Sequence, residues 1–104
     1  MKRISALLLA GLFAGLTALP GQTPVNYAIQ PVPRDAGWVK RHESFNAISK
    51  EGEAQLVFLG DSITEGWEKK GADVWKEFYG SRKAANFGIG GDRTEHVLWR
   101  LANG

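Results

Sequence analysis

The chain has no cysteine among its 104 residues. That excludes a disulfide framework and any thiolate metal site. Histidine is nearly as scarce, with His42 and His96 only. His42-Glu43 has no second histidine four residues on, so the zinc-protease pattern fails and His42 reads as a structural residue. Excess charge of one sign is missing too. The net charge is +2, and setting aside Lys2 and Arg3 leaves 11 basic against 11 acidic residues. No basic stripe remains to neutralise phosphates, which argues against a nucleic-acid partner. Nucleotide signatures are incomplete. Gly88-x-Gly90-Gly91 would need a further glycine at position 93, where Arg93 stands, and the lysine of a Walker loop is missing.

The N-terminus has the layout of a secretory leader. Basic Met1-Lys2-Arg3 is followed by an uncharged run from Ile4 to Leu19, then by Pro20, Gly21 and Gln22. The run is short for a spanning helix, which needs about 20 apolar residues. Residues 1–21 are therefore expected to be a signal peptide, with membrane contact only during export to the periplasm or beyond. All four prolines, Pro20, Pro24, Pro31 and Pro33, come next or at its edge. Fixed φ angles at this density predict an extended arm over 22–36.

Residues 37–104 read as part of one domain. Asp35 opens a helical pattern that places Trp38, His42, Phe45 and Ile48 on one face, and Gly52 stops it. Gln55 to Leu59 is a continuous apolar run, read as a buried strand, and it ends in Gly60-Asp61-Ser62. Asp73 to Tyr79 reads as a helix burying Val74, Trp75 and Phe78, with Gly80 at its end. Ala84 to Phe87 reads as a second strand, running into Gly88-Ile89-Gly90-Gly91-Asp92. A last helix carries Val97, Leu98 and Leu101 as its apolar stripe. Asp92 and Glu95 have capping-box spacing at its start, and Thr94 is the competing cap. The order strand, helix, strand, helix predicts an α/β fold with a parallel sheet.

Ser62 is the residue with chemistry to offer. It sits on a turn at the carboxyl end of a strand, where ligands bind in open α/β sheets. A serine lifted onto a strand-to-helix turn exposes its hydroxyl beside backbone N–H groups, as a nucleophile requires. The alternative is an ordinary turn, since Gly, Asp and Ser all favour turns. The second glycine-rich turn can aim N–H groups at a negative oxygen, or it can simply let the loop pass close to the sheet.

The two turns together resemble a known family. Gly60-Asp61-Ser62-Ile63-Thr64 resembles the first sequence block of the GDSL, or SGNH, hydrolases. Asn86-Phe87-Gly88-Ile89-Gly90-Gly91-Asp92, with Val97-Leu98-Trp99-Arg100-Leu101, resembles the second, in the branch containing the catalytic subunits of platelet-activating-factor acetylhydrolase. The resemblance implies a flavodoxin-like α/β/α sandwich, of which this chain supplies the first two strands and their helices. It implies an esterase or lipase-like hydrolase working through an acyl-serine on an ester, without metal or organic cofactor; together with the leader, the expectation is an exported enzyme acting on a small-molecule or carbohydrate ester. Ser62 would be the nucleophile. The N–H groups of Ser62 and Gly91 would be two oxyanion donors, and Asp61 would shape the turn. The family's third donor, in a Gly-x-Asn block, and its base, in an Asp-x-x-His block, have no match here. His42 and His96 lack the aspartate three residues before. The chain is therefore expected to be the N-terminal part of a longer enzyme and inactive alone. The competing readings are a degenerate relative, or a secreted carbohydrate-binding module using Trp38, Trp67, Trp75 and Trp99. Trp67 is also the candidate to line a substrate entrance, while Trp75 and Trp99 fit packing roles. The sequence indicates no oligomeric state.

Overall fold

The computed structural model describes residues 20, 21 and 23–104. The leader expected over 1–21 lies outside them, Pro20 and Gly21 apart. Helix α1 (Ala36–Glu51) begins where Asp35 caps it, the Asp35 carboxylate accepting the Trp38 N–H at 3.1 Å. That bond holds the carboxyl below its usual pKa. The helix ends at Gly52, whose φ of 69° is open to glycine at little cost.

Strand β1 (Leu56–Gly60) then pairs in parallel with β2 (Ala84–Gly88), in a register that sets Leu56 beside Ala84 and Gly60 beside Gly88. The crossover between them holds α2 (Ser62–Glu65), a 3-10 turn (Gly66–Glu68), α3 (Ala72–Tyr79) and a second 3-10 turn (Gly80–Arg82). Helix α4 (Thr94–Ala102) follows β2. Side chains alternate across a strand, so Phe87 and Phe58 face opposite sides of the sheet. Phe87 stacks on Phe45 of α1 at 4.7 Å, whereas Phe58 meets Trp75 and Tyr79 of α3, each at 5.0 Å. The architecture is thus α/β, with helices on both faces of two parallel strands, consistent with part of a flavodoxin-like fold.

Trp38, Phe45, Phe87 and Ile89 form the buried core, with Val39, Ala85 and Trp99 against it. Side chains of this size each contribute about 1.5–3 kcal/mol on full burial. The arm is not wholly extended. It contains a 3-10 turn at Tyr27–Ile29, and its Val32 N–H reaches the Glu95 carbonyl at 3.2 Å, tying it to the start of α4.

Several expectations about burial are corrected. Strand β1 is not buried throughout, since Val57 is 46% and Leu59 37% exposed. They flank Phe87 on the side where Phe45 packs over β2, and among the described residues that side of β1 stays open, lining a cleft with Phe45 and Leu101. On α3, Trp75 and Tyr79 turn to the sheet, and Val74 and Phe78, one position earlier around the helix, are exposed. Ile48 and Leu101 are exposed as well. Helix α4 buries Glu95, His96 and Arg100 instead. Neither Asp92 nor Thr94 caps it. Arg93 is the N-cap residue, and its N–H donates to His96 Nδ1 at 2.9 Å. Asp92 is drawn inward by Arg34 and Arg100.

Candidate active site

The carboxyl end of the sheet is built from two turns. The first follows Gly60. The Asp61 carboxylate accepts the Ile63 N–H at 2.9 Å, and the Asp61 carbonyl accepts the Glu65 N–H at the same distance. These bonds start α2 abruptly and leave Ser62 exposed as its first residue. Beside Ser62 runs a groove of about 500 Å³, lined by Ile63, Gly66, Trp67, Lys70 and Val74 among others. The Trp67 ring lies against Gly71, where any side chain would collide with it.

The second turn follows Gly88. Parallel register brings it to the same end of the sheet, and the Ile89 N–H donates to the Gly60 carbonyl at 3.1 Å. Helix α2 sits directly on Gly88, so that a Cβ there would fall within 2.8 Å of Glu65 Cα and of the Thr64 carbonyl carbon. Asn86 holds the two together, donating to the Thr64 carbonyl at 2.7 Å and accepting the Gly88 N–H at 2.9 Å. Gly90 faces the nucleophile candidate: a methyl group placed on it would stand 3.8 Å from Ser62 Cβ. Gly91 has a φ of 78°, a conformation that L side chains rarely adopt.

The N–H groups of this second turn divide sharply. Gly88 donates to Asn86, Ile89 to Gly60, Gly90 to Glu65 Oε2 at 2.9 Å, Asp92 to Ile89 and Arg93 to His96. Among the described residues, only the Gly91 N–H in that run has no protein acceptor. The Ser62 N–H likewise has none.

Behind the turns lies a buried charge network. Asp92 Oδ1 accepts from Trp38 Nε1 at 2.6 Å and from Arg34 Nη1 at 3.1 Å, and its Oδ2 lies 2.9 Å from Arg100 Nη2. Arg100 donates from Nη1 to the Phe87 carbonyl at 2.6 Å and from Nη2 to the Gly60 carbonyl at 3.1 Å, gripping the ends of both strands. The Oδ2 contact is therefore an ion contact without hydrogen-bond geometry. Burial pushes the Arg100 guanidinium below its usual pKa, and the neighbouring Asp92 carboxylate opposes that shift.

The structure brings Ser62, Asp61 and the Gly90–Gly91 turn to one end of the sheet, with Trp67 beside Ser62 in the groove. It keeps both histidines away. His42 is buried between Trp38 and Trp99, with Nε2 3.2 Å from the Asn103 carbonyl oxygen. His96 is held by the Arg93 N–H, and neither lines the groove at Ser62. Arg34 and Glu65 were not singled out by sequence reasoning, and Asn86 and Arg100 entered only as members of the second block, without a role. Two left a signal: Asn86 stands inside an apolar strand, and Arg100 interrupts the run Val97-Leu98-Trp99-Arg100-Leu101.

No family model matches the chain. The chain is 45% identical over 76 residues to the platelet-activating factor acetylhydrolase IB subunit alpha1 of Rattus norvegicus and of Bos taurus, a stretch covering 73% of this chain and 32% of each relative. It is 38% identical over 80 residues to the alpha2 subunit of Homo sapiens, covering 77% of this chain and 34% of that protein. The chain thus spans about a third of the length of the curated relatives it matches, and those relatives, at 38–45% identity over about three quarters of the chain, are named as acetylhydrolase subunits.

Proposed function

We propose that the chain carries the nucleophile-bearing part of an exported SGNH-type serine hydrolase that cleaves a short acyl ester, such as an acetylated carbohydrate. Ser62 Oγ attacks the ester carbonyl. The carbonyl oxygen, as it becomes negative, is received by the N–H groups of Ser62 and Gly91. Each donor of this kind contributes about 2.7–4 kcal/mol to the transition state. Asp61 fixes the turn that presents Ser62, and Trp67 forms one wall of the ester's groove. The proton of Ser62 goes to a base that neither His42 nor His96 supplies. Base and third donor belong to a polypeptide portion outside these 104 residues, in keeping with the third of their length that the relatives share with this chain. The leader over 1–21 would direct export.

One observation carries this reading: among the described residues the Gly91 N–H has no acceptor, in a turn whose other amide hydrogens are all bonded, beside the residue that faces Ser62. Acetylhydrolase relatives supply independent support for acyl-ester chemistry. The test is labelling of the full-length gene product by a fluorophosphonate. Labelling is expected, and Ser62→Ala is expected to abolish it; label retained in that variant would remove Ser62 from the role.

A further inference from the structure

We infer that Arg34, from the proline-rich arm, is a positioning residue that sets the direction of the Gly91 N–H. The inference rests on the proposed acyl-serine reading and adds a residue to it that lies 28 positions before Ser62 in the chain. Arg34 Nη1 donates to the Gly90 carbonyl at 2.8 Å. The same nitrogen contacts Asp92 Oδ1 at 3.1 Å, and Asp92 is itself fixed by Trp38 and Arg100. The guanidinium also lies over Gly91, with Nη1, Nη2 and Cζ 3.3, 3.4 and 3.6 Å from where a Cβ would stand.

The consequence follows from the geometry of the peptide unit. The Gly90 carbonyl and the Gly91 N–H belong to one planar trans amide, so they point in opposite directions. Holding the carbonyl on Arg34 turns the N–H away from Arg34. Glu65 Oε2 holds the other side of Gly90 by accepting its N–H at 2.9 Å. Gly90 and Gly91 have no side chains to stiffen them, and two glycines in a row otherwise leave this amide free to rotate. Arg34 and Glu65 remove that freedom from opposite ends. The positive charge has a second effect. A carbonyl bonded to a cation polarises its amide, which strengthens the N–H on the far side as a donor.

The arm is therefore part of the site's machinery, anchored by its Val32 bond to Glu95 and by Asp35 at the start of α1. Removal of an oxyanion donor lowers turnover by about 10²–10³-fold, and a donor left in place but loosened should lose part of that.

The experiment measures kcat and KM for p-nitrophenyl acetate in the full-length gene product, per active site titrated with fluorophosphonate, for the parent, Arg34→Met and Arg34→Lys. Titration counts competent Ser62 sites, so partial misfolding does not distort kcat. Arg34→Met is expected to lower kcat about 10–100-fold with KM changed less than threefold. Arg34→Lys, which keeps a charged donor, is expected to recover most of the loss. Should Arg34→Met yield no titratable protein, Arg34→Gln takes its place, with kcat per site at least threefold below the parent as the expected result. A kcat per site within twofold of the parent in the variant measured, even with lowered thermal stability, would overturn the positioning role. So would Arg34→Lys as impaired as Arg34→Met. Those results would leave the acyl-serine reading standing, because that reading is lost only if Ser62→Ala still takes up the probe.

Discussion

Gly88→Ala is the substitution whose consequence can be worked out most fully. Gly88 ends β2, and the last turn of the serine-bearing helix, Thr64–Glu65, rests on it. An alanine Cβ there would stand 2.8 Å from Glu65 Cα and 2.8 Å from the Thr64 carbonyl carbon, and closer still to the Glu65 amide nitrogen. Ordinary Cβ contacts begin at 3.4 Å. The backbone of α2 must therefore withdraw by at least about 0.6 Å, and no flexible side-chain tip is available to give way instead. Overpacking of this kind costs about 1–3 kcal/mol in stability. The effect on catalysis should be larger in proportion. Displacement of α2 moves Ser62 relative to the Gly90–Gly91 turn, and a misplacement of about 1 Å can cost about 10²-fold in rate. In the full-length gene product, Gly88→Ala is expected to lower kcat for p-nitrophenyl acetate by about 10–100-fold, with urea unfolding showing a loss of about 1–3 kcal/mol. A variant with kcat within threefold of the parent and unchanged urea midpoint would refute the close seating of α2 on β2.

Two further outcomes are expected. Asp92→Asn leaves the buried Arg100 without its counter-charge and weakens the anchor of Arg34; breaking such a pair should cost about 3–5 kcal/mol, read from urea unfolding, and a loss below 1 kcal/mol would contradict it. Asp35 has a carboxyl pKa below its ordinary value because it caps α1, so its contribution is complete above about pH 4 and is lost as pH falls through the lower folded value. The difference in urea midpoint between the parent and Asp35→Ala should be constant from about pH 5 to 7 and shrink as the pH is taken below 4; a difference that grows on acidification would contradict the sign.

Local chemistry made much of this fold legible. Asp35 and Gly52 mark the ends of α1 because a carboxylate cap and a left-handed glycine are decided by neighbours in sequence. Both strands were readable as short apolar runs stopped by glycine, and Ser62 stood out because a strand-to-helix turn exposes it. What could not be read depends on distant partners. Asp92 looked like a helix cap, since nothing nearby announces that Arg34, 58 positions earlier, and Arg100 will enclose it. Charged residues in a sequence usually mark solvated faces, and Arg100 at 3% exposure defeats that rule because two strand-end carbonyls and a carboxylate solvate it. Val57 and Leu59 looked buried because apolar content reveals demand for cover and not which helix supplies it. The motif pointed to the Gly91 N–H as a donor, but that the amides around it are all engaged was not legible, since it depends on distant acceptors such as Glu65 and Gly60.

The most direct test of a shared oxyanion site is a crystal structure of the full-length gene product after reaction with a small phosphonate. The adduct should be on Ser62 Oγ, with its phosphoryl oxygen about 2.7–3.1 Å from both the Ser62 and Gly91 amide nitrogens. A phosphoryl oxygen turned away from Gly91, or an adduct on another residue, would contradict the pairing of the two turns in one catalytic site.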